Sequence, residues 1–170
     1  MKKLFTLLCL LIIVLSCSKK VRKDLTDGEY IIEHYINDSV KHGKSIIYYN
    51  DGRKQRIIKY KKNTIVGQMK LYHPNGKIAS KTKFRKGVVK DKFYNFHSNG
   101  KPYNTYIYKE NKLVMVENCY DGKGNKLDCG TLKNGTGFIN QYNAYGNLIA
   151  IDYMKVGKYI KTDSIQKNKF

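Results

Sequence analysis

The stretches Gly43-Lys-Ser-Ile-Ile-Tyr-Tyr-Asn-Asp-Gly52 and Gly67-Gln-Met-Lys-Leu-Tyr-His-Pro-Asn-Gly76 share one plan and lie 24 residues apart. Each has an aromatic side chain four residues before a glycine that closes a turn-forming triplet. The spacing extends outward in both directions: Gly28, Gly52, Gly76, Gly100 and Gly124 follow at intervals of 24, and Gly146 after 22. The aromatic column four residues ahead of the glycine reads Tyr48, Tyr72, Phe96, Tyr120 and Tyr142. Eight residues after it stand Ile36, Tyr60, Phe84, Tyr108, Leu132 and Met154. A second column of turn formers follows eleven after the glycine: Ser39, Asn63, Gly87, Asn111, Gly135 and Gly157. Asn-Gly and Asp-Gly supply the positive φ that tight hairpin turns require. Two turn signals per period mean two strands per period. The expected fold is therefore all-β, a single-layer antiparallel meander or solenoid of about six β-hairpin repeats spanning 27–160. Its core is expected in the two apolar columns, since one such hairpin cannot bury its face alone.

Composition agrees. The chain has 170 residues, 15 Tyr, no Trp and only two Pro, a profile that suits pleated sheet. It is too short for an enzyme with separate cofactor and substrate domains, and at 41% hydrophobic residues it is not a disordered chain.

The first 16 residues stand apart from this pattern. Lys2 and Lys3 precede an apolar run from Leu4 to Leu15, too short to cross a bilayer, which ends in Val14-Leu15-Ser16-Cys17. This resembles the bacterial lipobox, and the resemblance implies a signal peptide over 1–16 and lipidation of Cys17, which becomes the new N-terminus. Several acyl chains at about 0.8 kcal/mol per methylene anchor a protein stably. Residues 17–26, with Lys19, Lys20, Arg22 and Lys23, read as a basic tether, and 161–170 as a flexible tail. Ser18 after the cysteine, by likeness to Gram-negative sorting signals, implies the periplasmic face of the outer membrane.

The repeated units at Gly43–Gly52 and Gly67–Gly76, with Tyr120–Gly135 and Phe138–Gly146, resemble the variant MORN repeat, as found in bacterial proteins labelled YwqK-type antitoxins of toxin–antitoxin systems. The resemblance covers about residues 27–160. It implies a repeat sheet of the kind associated with membrane attachment and scaffolding, or alternatively an antitoxin or immunity-like neutralising partner.

Chemistry-bearing motifs do not accompany the repeat. The sequence contains no nucleophile elbow, zinc-protease helix motif, phosphate loop or dinucleotide fingerprint. His73 and His97 occupy one column a repeat apart, roughly 10 Å across two strands, too far to share a zinc ion. They read as histidines flanking turns on a polar edge. A non-enzyme with no cofactor and no metal is expected. Cys119 and Cys129 sit on opposite arms of one expected hairpin. An exported domain can keep a disulfide there, whereas a one-residue slip would put the two thiols on opposite faces.

The formal charge is +20, from 33 Lys and Arg against 13 Asp and Glu. Cations recur nine residues after the glycine, at Lys61, Arg85, Lys109, Lys133 and Lys155, and one residue after it, at Arg53, Lys77 and Lys101. Such a stripe suits a polyanion, and it also solubilises a sheet and blunts its edges. Nucleic acid is not an expected partner of an exported lipoprotein. The expected partners are the membrane, through the lipid, and a protein or anionic envelope component. Tyr49, Tyr94, Tyr103 and Tyr106, with Lys61, Arg85, Lys109 and Lys133, form the expected contact surface, because exposed Tyr gives contact energy at low entropic cost.

Overall fold

The computed structural model describes residues 18–165. The expected signal peptide, the lipidation site Cys17 and the last five residues lie outside them. The described chain is all-β and antiparallel, with one short 3-10 turn at Thr26–Gly28. Its strands are β1 (Lys19–Asp24), β2 (Tyr30–Ile36), β3 (Val40–Lys41), β4 (Gly43–Tyr48), β5 (Lys54–Lys61), β6 (Thr64–Ile65) and β7 (Gly67–Tyr72). They continue as β8 (Ile78–Arg85), β9 (Val88–Phe96), β10 (Pro102–Lys109), β11 (Lys112–Glu117), β12 (Gly137–Tyr142), β13 (Leu148–Lys155) and β14 (Lys158–Ser164). One sheet runs β1-β2-β4-β5-β7-β8-β9-β10-β11 in meander order, with β3 also on β2 and β6 also on β5. A second, three-stranded sheet runs β12-β13-β14.

Two kinds of turn alternate along the meander, and each follows from its residues. Asn37-Asp38, Lys62-Asn63, Lys86-Gly87, Glu110-Asn111, Asn134-Gly135 and Val156-Gly157 all have positive φ at both positions, the geometry of two-residue hairpin turns. The first of these falls on Asn37-Asp38, one residue ahead of the expected Ser39. The other kind is a four-residue turn. The N–H groups of Tyr49, His73, His97, Asp121 and Asn143 each donate to the carbonyl four residues on, and the glycine at the fourth position donates back. Those glycines have φ between 80° and 98°, which an L side chain adopts only under strain.

Several strands bend midway. β3 and β4 flank Gly43 and pair with one neighbour, β2; β6 and β7 flank Gly67 and pair with β5. These glycines have φ of 95° and 72°. In β9 the corresponding bulge falls at Lys90-Asp91-Lys92, all three opposite Lys83 of β8, and Asp91 takes φ of 65°.

Three expectations are corrected. The stretch read as a solvated basic tether forms edge strand β1, in register with β2 from Lys19↔Tyr35 to Asp24↔Tyr30. Its side chains have partners: the Arg22 guanidinium lies 3.9 Å from the Tyr30 ring centroid, and Lys23 reaches the buried Glu33. At the other end, β14 carries regular pairing through Ser164 into the expected flexible tail. Finally, the meander is interrupted. Asn118, at φ 58°, ends β11, and 118–136 retains only the isolated bridges Tyr120↔Lys126, Gly130↔Ile139 and Lys133↔Thr136. Gly130 explains part of this course: a Cβ there would lie 2.4 Å from the Phe138 carbonyl oxygen. Only glycine lets the two backbones approach so closely.

The core also lies elsewhere than expected. The aromatic and apolar columns are mostly half-buried; of them only Leu132 is fully buried. The fully buried apolar cluster is Leu113, Val116, Cys119, Leu132 and Ile139, gathered around the interruption. Cys119 and Cys129 are disulfide-bonded there, with Cα atoms 5.5 Å apart, so the bond closes the irregular segment beside the cluster. A one-layer sheet has no second layer to cover its ladders, so full burial arises where the chain folds back on itself.

Candidate functional site

The surface expected from the sequence separates into parts. Tyr49 is half-buried, and its hydroxyl donates to the Tyr72 carbonyl at 2.7 Å. Tyr103 is half-buried as well: its hydroxyl donates to Gln141 Oε1 at 3.0 Å and accepts from the Tyr142 N–H at 2.9 Å. Burial raises its pKa above the ordinary phenol value. The Tyr106 hydroxyl accepts from the same Gln141, and Tyr106 faces away from Tyr94, because Tyr94 opposes Thr105 in the β9–β10 register. Tyr49, Tyr103 and Tyr106 are therefore internal stitches. Of the four, Tyr94 is exposed, at 39%. A polar hydroxyl on an aromatic body serves either role, and sequence spacing does not distinguish them.

The histidines are a further correction. His97 is buried, and the Nε2 atoms of His73 and His97 bond the Phe96 and Tyr120 carbonyls at 2.9 and 2.8 Å. With Tyr49, the residue that begins each four-residue turn thus reaches a carbonyl 23 positions further on. Lys77 and Lys101 are held similarly, donating to the Asn99 and Lys123 carbonyls. The basic column one residue after the glycine thus belongs in part to the scaffold. Among the described residues, no group of three or more His, Cys, Asp or Glu is placed to hold a metal ion.

Lys61, Arg85, Lys109 and Lys133 are all exposed. Each immediately precedes a tight turn, opposite Thr64, Val88, Lys112 and Thr136 respectively. Lys61, Arg85 and Lys109 lie on alternate strands of one rim, roughly 10 Å apart.

A denser basic surface crosses the middle of the sheet, where sequence columns gave no signal. The pairing register aligns Ile46, Ile57, Lys70, Lys81, Tyr94 and Thr105 side by side across β4, β5, β7, β8, β9 and β10. Alternation places Lys44, Lys59, Lys83, Lys92 and Phe96 on the same face. Lys44 stands directly opposite Lys59, and Lys70 directly opposite Lys81. The Lys81 ammonium lies 5.2 Å from the Phe96 ring centroid and 5.5 Å from that of Tyr94. Lys92 pairs with Glu117 at 2.8 Å, and this hydrogen bond raises its pKa. Two shallow concavities open here, sharing Lys81 and Tyr94 between them. This register-built face is the candidate site. The sequence matches no protein-family model, and no curated protein sequence matches it.

Proposed function

We propose that the protein is a lipid-anchored cell-envelope repeat protein whose open sheet binds a protein or anionic envelope component. The observation that carries this reading is the basic face itself. Like charges directly opposite each other across a sheet are destabilising, yet Lys44–Lys59 and Lys70–Lys81 are such pairs. The sheet thus carries on this face a charge that an external anion would neutralise. Tyr94 provides exposed aromatic contact beside it. Kinship with variant MORN repeats is part of the proposal. It is supported by the recurrence of one hydrogen-bond pattern at the turns begun by Tyr49, His73, His97, Asp121 and Asn143.

Location is proposed from the sequence of the signal segment. Cys17→Ala should either release the mature chain into the soluble fraction or leave an unprocessed precursor, as read by fractionation and intact mass. A processed Cys17→Ala chain that stays with membranes would refute the lipid anchor.

A further inference from the structure

The two concavities differ in chemistry. The first, about 420 Å³, is lined by Lys81, Lys83, Lys90, Lys92 and Asp91, with Tyr94 at its boundary. It is shaped by the bulge of β9, in which three residues oppose Lys83 alone. In the two comparable bends the positive-φ residue is Gly43 or Gly67; here it is Asp91. Asp tolerates this conformation better than most residues but at a cost relative to Gly. The second concavity, about 410 Å³, lies on the other side of Tyr94 and is lined by Asn95, Asn104, Thr105, Asn118, Phe96 and Tyr120.

Asn104 is only 2% exposed, and its amide nitrogen is buried with no hydrogen-bond partner. Its Oδ1 accepts from Asn95, whose own Oδ1 accepts from Ser80. A hydrogen-bonded chain from Ser80 through Asn95 thus ends at a buried donor with nothing to donate to. Leaving such a donor unmade costs free energy, and a ligand acceptor would recover it.

Side by side, these surfaces offer cations for a negative group and, a few ångströms away, amides and hydroxyls beside aromatic rings. The first set suits a carboxylate or phosphate. The second suits a ring that carries hydroxyl groups on its edge and C–H groups on its face. We infer that the two concavities together bind an acidic saccharide, with its negative group against Lys81 and Lys83 and its ring beyond Tyr94 against Asn95, Asn104 and Phe96. A bilayer is the less suitable occupant, because the lysines converge on depressions. This inference rests on reading the protein as an envelope-binding module and gives that module a ligand class.

Titration calorimetry of the full chain in neutral detergent tests it with three probes: tetragalacturonate, uncharged maltotetraose and inorganic tripolyphosphate. Tetragalacturonate should bind at least about tenfold more tightly than either of the others, since each lacks one half of the contacts. Lys83→Gln should cost about tenfold toward tetragalacturonate and leave maltotetraose unchanged. Tyr94→Ala should weaken both saccharides and spare tripolyphosphate. Lys83 is exposed, so its substitution should leave the melting temperature unchanged and isolate recognition from folding. Tripolyphosphate binding as tightly as tetragalacturonate would reduce the site to charge alone and overturn the inference, as would equal binding of maltotetraose. Phosphatidylglycerol vesicles that retain the Cys17→Ala chain, but not the same chain with Lys83→Gln, would assign the face to a bilayer and also overturn it. Failure of tetragalacturonate to bind, with Cys17-dependent fractionation intact, would remove the saccharide and leave the anchored module standing.

Discussion

Glu33→Ala should destabilise the domain by about 3–5 kcal/mol, the usual cost of breaking a buried ion pair from one side. Glu33 is 3% exposed, in the middle of β2. Its carboxylate takes the Lys41 ammonium on one oxygen, and the Tyr35 hydroxyl and Lys23 ammonium on the other. The alanine variant leaves Lys41 facing an apolar gap and removes the contact that fastens β1 through Lys23. Urea midpoints of wild type and variant measure the loss, and a change below about 1 kcal/mol would show that water already screens the group as at a surface.

The same group sets an acid limb. Burial pushes the Glu33 carboxyl upward, but hydrogen bonds from Lys41, Tyr35 and Lys23 outweigh it and bring the pKa from 4.5 down to about 2. A carboxyl with a lowered folded pKa stabilises the fold above its unfolded value, and the contribution disappears as pH falls toward the folded value. Wild type should therefore lose about 3 kcal/mol between roughly pH 4.5 and pH 2 from this residue. Glu33→Gln, already uncharged, should lack that part of the slope. Lys41 is shifted in the opposite sense, its pKa raised chiefly by the hydrogen bond to Glu33. Its contribution is complete at neutral pH and is lost only as pH rises through that raised value.

Ile139→Ala should cost about 2–5 kcal/mol, as large-to-small changes in a closed core do. Ile139 is 2% exposed and packs with Leu113, Val116, Cys119 and Leu132. Phe84→Ala, in the half-buried ladder of β8, removes a larger side chain. It should nevertheless cost only about 1–2 kcal/mol, because water already reaches much of the ring. Thermal melts of the two variants rank them. If Phe84→Ala proves the more damaging, the ladders are the core and the cluster near the disulfide is secondary.

These residues also show what the sequence made legible. Strand polarity and turn positions could be read because Asn63, Gly87 and Asn111 sit where the backbone requires positive φ, a demand met locally. The core could not be read, since Phe84 and Ile139 both occupy apolar positions and only the fold-back at 118–136 separates them. The tether was misread because Lys19–Lys23 looks like any solvated basic run until Glu33 and Tyr30 are placed beside it. The face bearing Lys70, Lys81 and Tyr94 was missed for a different reason. Its members hold no common column in the repeat and are aligned by cross-strand register, which shifts at each bulge.

The most direct test of an envelope-binding sheet is capture. The wild-type chain, and a chain with Lys83→Gln and Tyr94→Ala together, are immobilised, and detergent-solubilised envelope is passed over both. The retained material is then assayed for protein, phosphate and uronic acid. The wild-type chain should retain an anionic envelope component, release it as salt is raised, and lose it with the double substitution. Equal retention by both chains, or recovery of a cytoplasmic protein in place of envelope material, would contradict the account.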